Sequence, residues 1–511
     1  SILKSGPYHT AKKEVIDWFS KLKIELPELT FNKYPHELSG GQKQRIIIAM
    51  ALIKDPLLLL ADEPTTALDK FTQDSIIKDL KNLQKEKKLA VLFVSHDLNL
   101  IKSIADRIYI MKDGKIVEDG DKNDIFHNPK HLYTRDLLAS CPPIDKKLKE
   151  LPSRKHFLGF DEEGYLGDVN ISLEKLIENL TIDPSSAIEK SNSLLNSPPL
   201  MTIKNLDKVF ISKKDKTKKI ALKNIAFNIY KGETLGIVGE SGSGKSTLAM
   251  SILQLLKYQG QIIFDGIPLE QISKKDLRYQ RKDFQIVFQD PYSSLNPRFT
   301  VGKIVSEGMR LHNICQETEI QEKLIQTFEK VGLREFHISN YPHEFSGGQR
   351  QRIGLARALA LNPSLIIADE PVSALDVSVQ AQVINLFMDL QEEFGLSYMF
   401  IAHDLSVIAQ ICSTIGVMYL GNIVEITDRK TLFKNPQHPY TKALLSSIPM
   451  PNPQSKKKQH HLIKGDIPSP TNPPSGCKFH TRCPFSKKIC SEETPYLKKI
   501  DKDHQVACHL V

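Results

Sequence analysis

The run "GESGSGKST" at 239–247 has the residue types and spacing to grip phosphate. Gly239-x4-Gly244-Lys245-Ser246 follows an apolar stretch, "TLGIV", and precedes text of helical character. Glycines there let backbone N–H groups turn inward round an anion, and the following helix adds the positive end of its dipole. Gly239, Ser241, Gly242, Ser243, Gly244, Lys245, Ser246 and Thr247 are therefore the candidate nucleotide-phosphate residues. Lys245 would reach the β- and γ-phosphates, and the Ser246 hydroxyl would ligate Mg²⁺. "SLIIADEP" at 364–371 reads as a buried strand ending in two carboxylates. Asp369 is suited to Mg²⁺, and Glu370 to orienting and deprotonating an attacking water. Gln289, closing the strand in "QIVFQDPYSSLNP", suits contact with Mg²⁺ and water. His403, closing the strand in "YMFIAHDL", suits contact with a γ-phosphate. The chemistry these groups imply is ATP hydrolysis.

Positioning them requires apolar strands that end at one edge of a sheet, and such strands recur along the chain. "YPHELSGGQKQR" at 34–45 returns as "YPHEFSGGQRQR" at 341–352. Tyr34 and Tyr341, Ser39 and Ser346, Asp62 and Asp369, Asp69 and Asp376, and His96 and His403 are each 307 residues apart. Landmarks at one offset mean a duplicated domain. Asp62 and Glu63 in "LLLLADEP", with His96 in "VLFVSHDL", repeat the carboxylate pair and histidine. Lys245 has no such twin, because the offset places it before residue 1. The expectation is a first copy that lacks its N-terminal part and belongs to a longer fused twin, with apolar edges left uncovered. Expected boundaries are a partial first domain at 1–140, a linker at 141–199, a complete second domain at 200–440 and a small extension at 441–511.

"LSGGQ" and "FSGGQ" each stand 23 residues before the aspartate of a "DEP". With the phosphate loop they resemble the signature motifs of the ABC ATPases. The resemblance implies an α/β fold of P-loop NTPase domains in tandem, each with a helical signature subdomain. It also implies head-to-tail sandwiching of ATP. Ser39, Gly40, Gly41 and Gln42 would then cap the nucleotide held at 239–247. Ser346, Gly347, Gly348 and Gln349 form the second signature. "TTALD" with Asp69 matches a D-loop, and Phe210, 29 residues before Gly239, falls where that family stacks adenine; a plain core phenylalanine is the alternative. "FQDPYSSLNPR", "NPQHPYTKALLSSIP" and "PPSGCKFHTRCPF" are similar to the ATPases of dipeptide and oligopeptide importers. That implies two transmembrane permease subunits as partners and, indirectly, an extracytoplasmic substrate-binding protein. It also implies a peripheral position on the cytoplasmic face of the membrane.

Seven cysteines in 511 residues are too few for a secreted disulfide scaffold. Four of them crowd the tail at Cys477-x5-Cys483-x6-Cys490-x17-Cys508, without any CxxC pair. Four thiolates can hold Zn²⁺ or an iron–sulfur cluster, and reduced free thiols are the third reading. Resemblance to cluster-bearing importer ATPases favours [4Fe–4S]. Apolar runs fall short of a bilayer span. The net charge of +9 is spread over the chain and reads as solvated surface. The rival reading, a soluble twin ATPase on ribosomes or nucleic acid, calls for a basic linker. Residues 141–199 carry seven Lys/Arg against ten Asp/Glu, a net −3, so no nucleic-acid partner is expected.

Overall fold

The computed structural model describes residues 8–65, 68, 70–141, 143–144, 146–160, 166–168, 171–183, 197–211, 216–447, 468–469, 471–501 and 503–511. The chain divides into two compact units, Ser1–Thr134 and Arg135–Val511. In the first, β1 (Leu58–Asp62) and β2 (Ala90–Val94) pair in parallel, and β3 (Arg107–Lys112) and β4 (Lys115–Asp121) form an antiparallel hairpin. Helices Tyr8–Lys21, Gly40–Leu52 and Lys70–Lys87 cover one face of β1, burying Trp18, Leu22, Leu52, Ile76 and Leu80 against Leu59. The opposite face is bare: Leu58, Leu60, Leu92 and Val94 are 50 to 67% exposed.

In the second unit, β5 (Leu158–Phe160) and β6 (Leu166–Asp168) make a small hairpin. β7 (Pro199–Ile211), β8 (Lys218–Tyr230), β10 (Gln259–Phe264) and β11 (Ile267–Pro268) form an antiparallel sheet in the order β11-β10-β7-β8. A larger sheet collects β9 (Thr234–Val238), β12 (Phe284–Val287), β13 (Leu365–Asp369), β14 (Ser397–Ala402), β15 (Thr414–Tyr419), β16 (Asn422–Asp428), β17 (Lys498–Asp501) and β18 (His504–Val506). Its order is β12-β13-β14-β9-β15-β16-β18-β17, parallel from β12 to β15 and antiparallel beyond. Parallel strands covered on both faces read as unbroken apolar text, which is what "TLGIV" and "LIIA" are. Helices Val301–Leu311, Ile320–Lys330 and Gly347–Leu359 pack on one another as a helical layer.

The twins of the bare residues are all sealed here. Leu365, Ile367, Met399 and Ile401 are 0% exposed and share one core with Ile203, Leu222, Phe264, Leu248 and Ile252. The antiparallel sheet and the helix behind the glycine-rich run supply that cover. Full burial of such a side chain contributes about 1.5–3 kcal/mol, a term the first unit's face does without.

The described residues of 141–199, the stretch expected as a linker, fall within the second unit, and several are held by its other elements. Leu148, Leu151 and Phe157 are buried. The Leu151 N–H donates to Asn385 Oδ1 at 2.7 Å, and Asn385 Nδ2 returns a bond to Leu151 O at 2.9 Å. Gln410 Oε1 accepts from Leu148 N at 3.1 Å, and Arg429 donates to Ile144 O at 2.9 Å. A helix, Leu173–Leu180, spans most of "ISLEKLIENL". The tail is anchored as well. β18 extends the sheet beside β16, and His504 Nε2 lies 2.8 Å from the buried Glu425 carboxylate.

Candidate active site

The fully buried strand β9 delivers the glycine-rich run to the carboxyl end of the sheet. Gly242 and Gly244 turn through φ +77° and +107°, in the left-handed region that favours glycine. A Cβ on Gly244 would stand 2.5 Å from Ala221 O. Lys245, first residue of the helix Lys245–Ile252, is buried; its ammonium donates to Gly239 O at 2.8 Å and Glu240 O at 3.1 Å. Ser241, Gly242 and Ser246 face solvent. Ser243 Oγ is buried with no hydrogen-bond partner among the described residues. An orphaned hydroxyl, a sequestered ammonium and an open loop mouth fit an anionic ligand such as a nucleotide phosphate.

Beside the loop, β13 ends in Asp369 and Glu370. Ser246 Oγ donates to Asp369 Oδ1 at 3.3 Å. Burial raises the Asp369 carboxyl above its usual value, with Ser246 opposing and the Glu370 charge assisting. Glu370 sits at φ +48°, and three groups converge on its carboxylate. Gln289 Nε2 donates at 2.8 Å, His403 Nδ1 lies at 3.4 Å and Lys245 Nζ at 4.0 Å. Burial pushes Glu370 upward, but His403 and Lys245 outweigh it and hold the carboxyl below its usual value. Desolvation lowers His403, yet its bond to Glu370 and the charges of Glu370 and Asp404 raise it overall. Asp369, Ser246 and Gln289 offer the oxygen donors that Mg²⁺ prefers, so the site fits that ion.

The six side chains expected to act together are thus neighbours. Phe210 is the next-to-last residue of β7, 38% exposed, with Lys208 Nζ 4.7 Å over its ring. In the first unit, Glu63 repeats the left-handed backbone at φ +43°, and His96 Nδ1 lies 2.9 Å from its carboxylate; Asp62 before it is exposed. Both signatures are capping boxes. Ser39 Oγ accepts from Gln42 N and Gln42 Oε1 from Ser39 N, each at 3.2 Å; Ser346 and Gln349 repeat this at 3.4 and 3.0 Å. Gly40 and Gly347 open the helices. A Cβ on Gly41 would meet Thr72 Cγ2 at 2.5 Å, and one on Gly348 would collide with Val379. Asp69 lies outside the described residues.

The tail cysteines Cys477, Cys483, Cys490 and Cys508 are free thiols. Burial pushes Cys477 up to about 11, and Cys508, Cys490 and Cys483 each add to that rise. Among the described residues, no three His, Cys, Asp or Glu are arranged to hold a metal ion. Sequence reasoning missed Arg482, between two of these cysteines. Its guanidinium pairs with Glu240 of the phosphate loop at 2.8 and 3.1 Å. Glu240 lay inside the quoted run, but nothing local signalled its partner.

The family model described as ABC transporter matches residues 4–66 and 222–373. That described as the oligopeptide/dipeptide transporter C-terminal region matches 117–158 and 424–490. The glutathione import ATP-binding protein GsiA of Salmonella paratyphi A is 43% identical over 471 residues, 91% of this chain and 73% of that protein. The chain belongs to the ABC transporter ATP-binding family. GsiA of Escherichia coli O6:H1 is 44% identical over 451 residues, covering 87% of this chain and 70% of its own. The structure of cbiO1 from Clostridium perfringens, part of an ABC transporter complex, aligns at 30% identity with a TM-score of 0.42 over 47% of this chain and 92% of its own. Members of the ABC family bind ATP and hydrolyse it; of the four matched stretches in this ABC ATPase, one lies in the first unit, two lie in the second and one runs across Thr134. Among the described residues no helix is long and apolar enough to cross a membrane.

Proposed function

We propose that this ABC ATPase is the energy-coupling subunit of an importer for peptides or glutathione. Two separate membrane permease subunits, fed by an extracytoplasmic substrate-binding protein, would carry the cargo, with this chain peripheral on the cytoplasmic face. The import names of its relatives and the match to a peptide-transporter C-terminal region support that reading.

One observation carries the chemistry: Lys245, Gln289 and His403 converge on a Glu370 carboxylate held ionised beside the phosphate loop. In the proposed reaction the loop amides and Lys245 bind the phosphates. Glu370 takes the proton of a water whose oxygen attacks the γ-phosphorus, and the bond to the β-phosphate oxygen breaks to leave ADP and phosphate. Gln289 and His403 hold the carboxylate in place. Ser246, Asp369 and Gln289 would hold Mg²⁺, which when bound neutralises phosphate charge. Phe210 would stack the adenine. The Ser39–Gln42 signature, with Asp69, would complete this site, and the Ser346–Gln349 signature would serve a second one. Asp62, Glu63 and His96 would act there. Replacing Glu370 by Gln should cut phosphate release about 10²- to 10⁴-fold, the usual worth of a general base, while ATP binding persists. Unchanged hydrolysis would remove Glu370 from this role. Ser39→Arg should abolish hydrolysis too; full activity there would exclude the signature from the site.

A metal centre in the tail is a second reading, suggested by the four-cysteine spacing Cys477-x5-Cys483-x6-Cys490-x17-Cys508. A [4Fe–4S] cluster or Zn²⁺ would be held by these thiolates. Iron, sulfide and zinc content of protein purified anaerobically without chelator decides it, and a metal-free, fully folded protein would refute it.

A further inference from the structure

Glu240 joins three parts of the second unit. Its carbonyl accepts from Lys245 Nζ at 3.1 Å, and its N–H donates to Tyr440 Oη at 3.0 Å. Its carboxylate takes both Nη groups of Arg482, at 2.8 and 3.1 Å, with both side chains at most 5% exposed. Arg482 also donates to Tyr419 Oη at 3.3 Å, and the rings of Tyr419, Tyr440 and Phe479 close round the pair with centroids 4.7 to 5.4 Å apart. A fork-to-carboxylate pair shielded from water is directional as well as strong, so it fixes orientation where a single contact would not.

We propose that Arg482 is a positioning residue for the phosphate loop. Acting through Glu240, it holds the loop in the shape that receives phosphate and so couples nucleotide binding to the cysteine-bearing tail. The proposal rests on reading 239–247 as the ATP site. The tail does not need Arg482 merely to stay attached. β18 already joins β16, and His504 already meets Glu425. What Arg482 adds is a link ending one residue from Gly239, on the residue whose carbonyl holds Lys245. Coupling of this kind is reciprocal, so bound nucleotide in turn steadies the tail.

The test is ATP hydrolysis and thermal stability of the full chain as wild type, Arg482→Lys, Arg482→Met and the double variant Glu240→Leu/Arg482→Met, with Lys245→Ala as control. A loop that keeps its receptive shape a tenth of the time raises the apparent dissociation constant about tenfold. KM for ATP should therefore rise about that much in Arg482→Met, with kcat within about twofold, and less in Arg482→Lys. The double variant leaves no buried unpaired charge, so it should melt near wild type yet keep the raised KM. A merely structural role would restore both together, and that result overturns the proposal. So does an unchanged KM in folded Arg482→Met. Should Arg482→Met fail to fold, the double variant alone decides. ATP binding that survives Lys245→Ala would instead overturn the site reading itself.

Discussion

Replacing Ile367 by alanine empties a 0% exposed position on β13, two residues before Asp369. Truncations of this kind cost about 2–5 kcal/mol through lost burial and the cavity left behind. Its twin 307 residues earlier, Leu60, is 67% exposed, and Leu60→Ala there should stay within about 0.5 kcal/mol. Whole-chain melting mixes two units, so the readout is amide hydrogen exchange along β13 and β1 separately. A loss of about 2 kcal/mol weakens protection of β13 about 30-fold, whereas β1 should change less than threefold. Hydrolysis should fall with Ile367→Ala, since the Ser246–Asp369 bond and the Glu370 cluster hang on the end of that strand, and should be unaffected by Leu60→Ala. Equal losses at the two positions, or β13 protection within twofold of wild type, would refute the reasoning from burial.

The His403–Glu370 pair gives a pH dependence with a definite sign. Glu370 is lowered from 4.5, so its contribution is present above that value and fades as pH falls through the lowered one. His403 is raised from 6.5, so its contribution is present below that value and is lost as pH rises through the raised one. The melting gap between wild type and His403→Ala should be widest between those values and narrow by pH 9; a constant gap would contradict the pairing. Gly244→Ala should impair ATP binding more than Gly242→Ala. Both have positive φ, but only the first drives a Cβ into a backbone oxygen, and equal effects would show that strain alone matters.

Much of the site was legible because its parts are local. Thr234–Thr247 carries strand, turn and helix start in one stretch, and Asp369 and Glu370 stand at the end of theirs. Repeat arithmetic led to an expectation of uncovered apolar strand edges, whereas what stands exposed is a face of β1 and β2. What escaped notice is held by single long-range bonds. Asn385 meets Leu151 across 234 residues and Arg482 meets Glu240 across 242, and neither leaves a periodicity or a spacing to read. The capping boxes lie between: Ser and Gln at the right separation were visible in "SGGQ", but the packing demand on Gly41 and Gly348 depends on Thr72 and Val379, which come from other elements.

The most direct measurement is phosphate release from MgATP by the purified chain beside its Lys245→Ala variant. Hydrolysis by the wild type, abolished in a variant that folds and melts like it, is the expected result. Hydrolysis that survives the loss of Lys245 would contradict the assignment of the ATP site to residues 239–247.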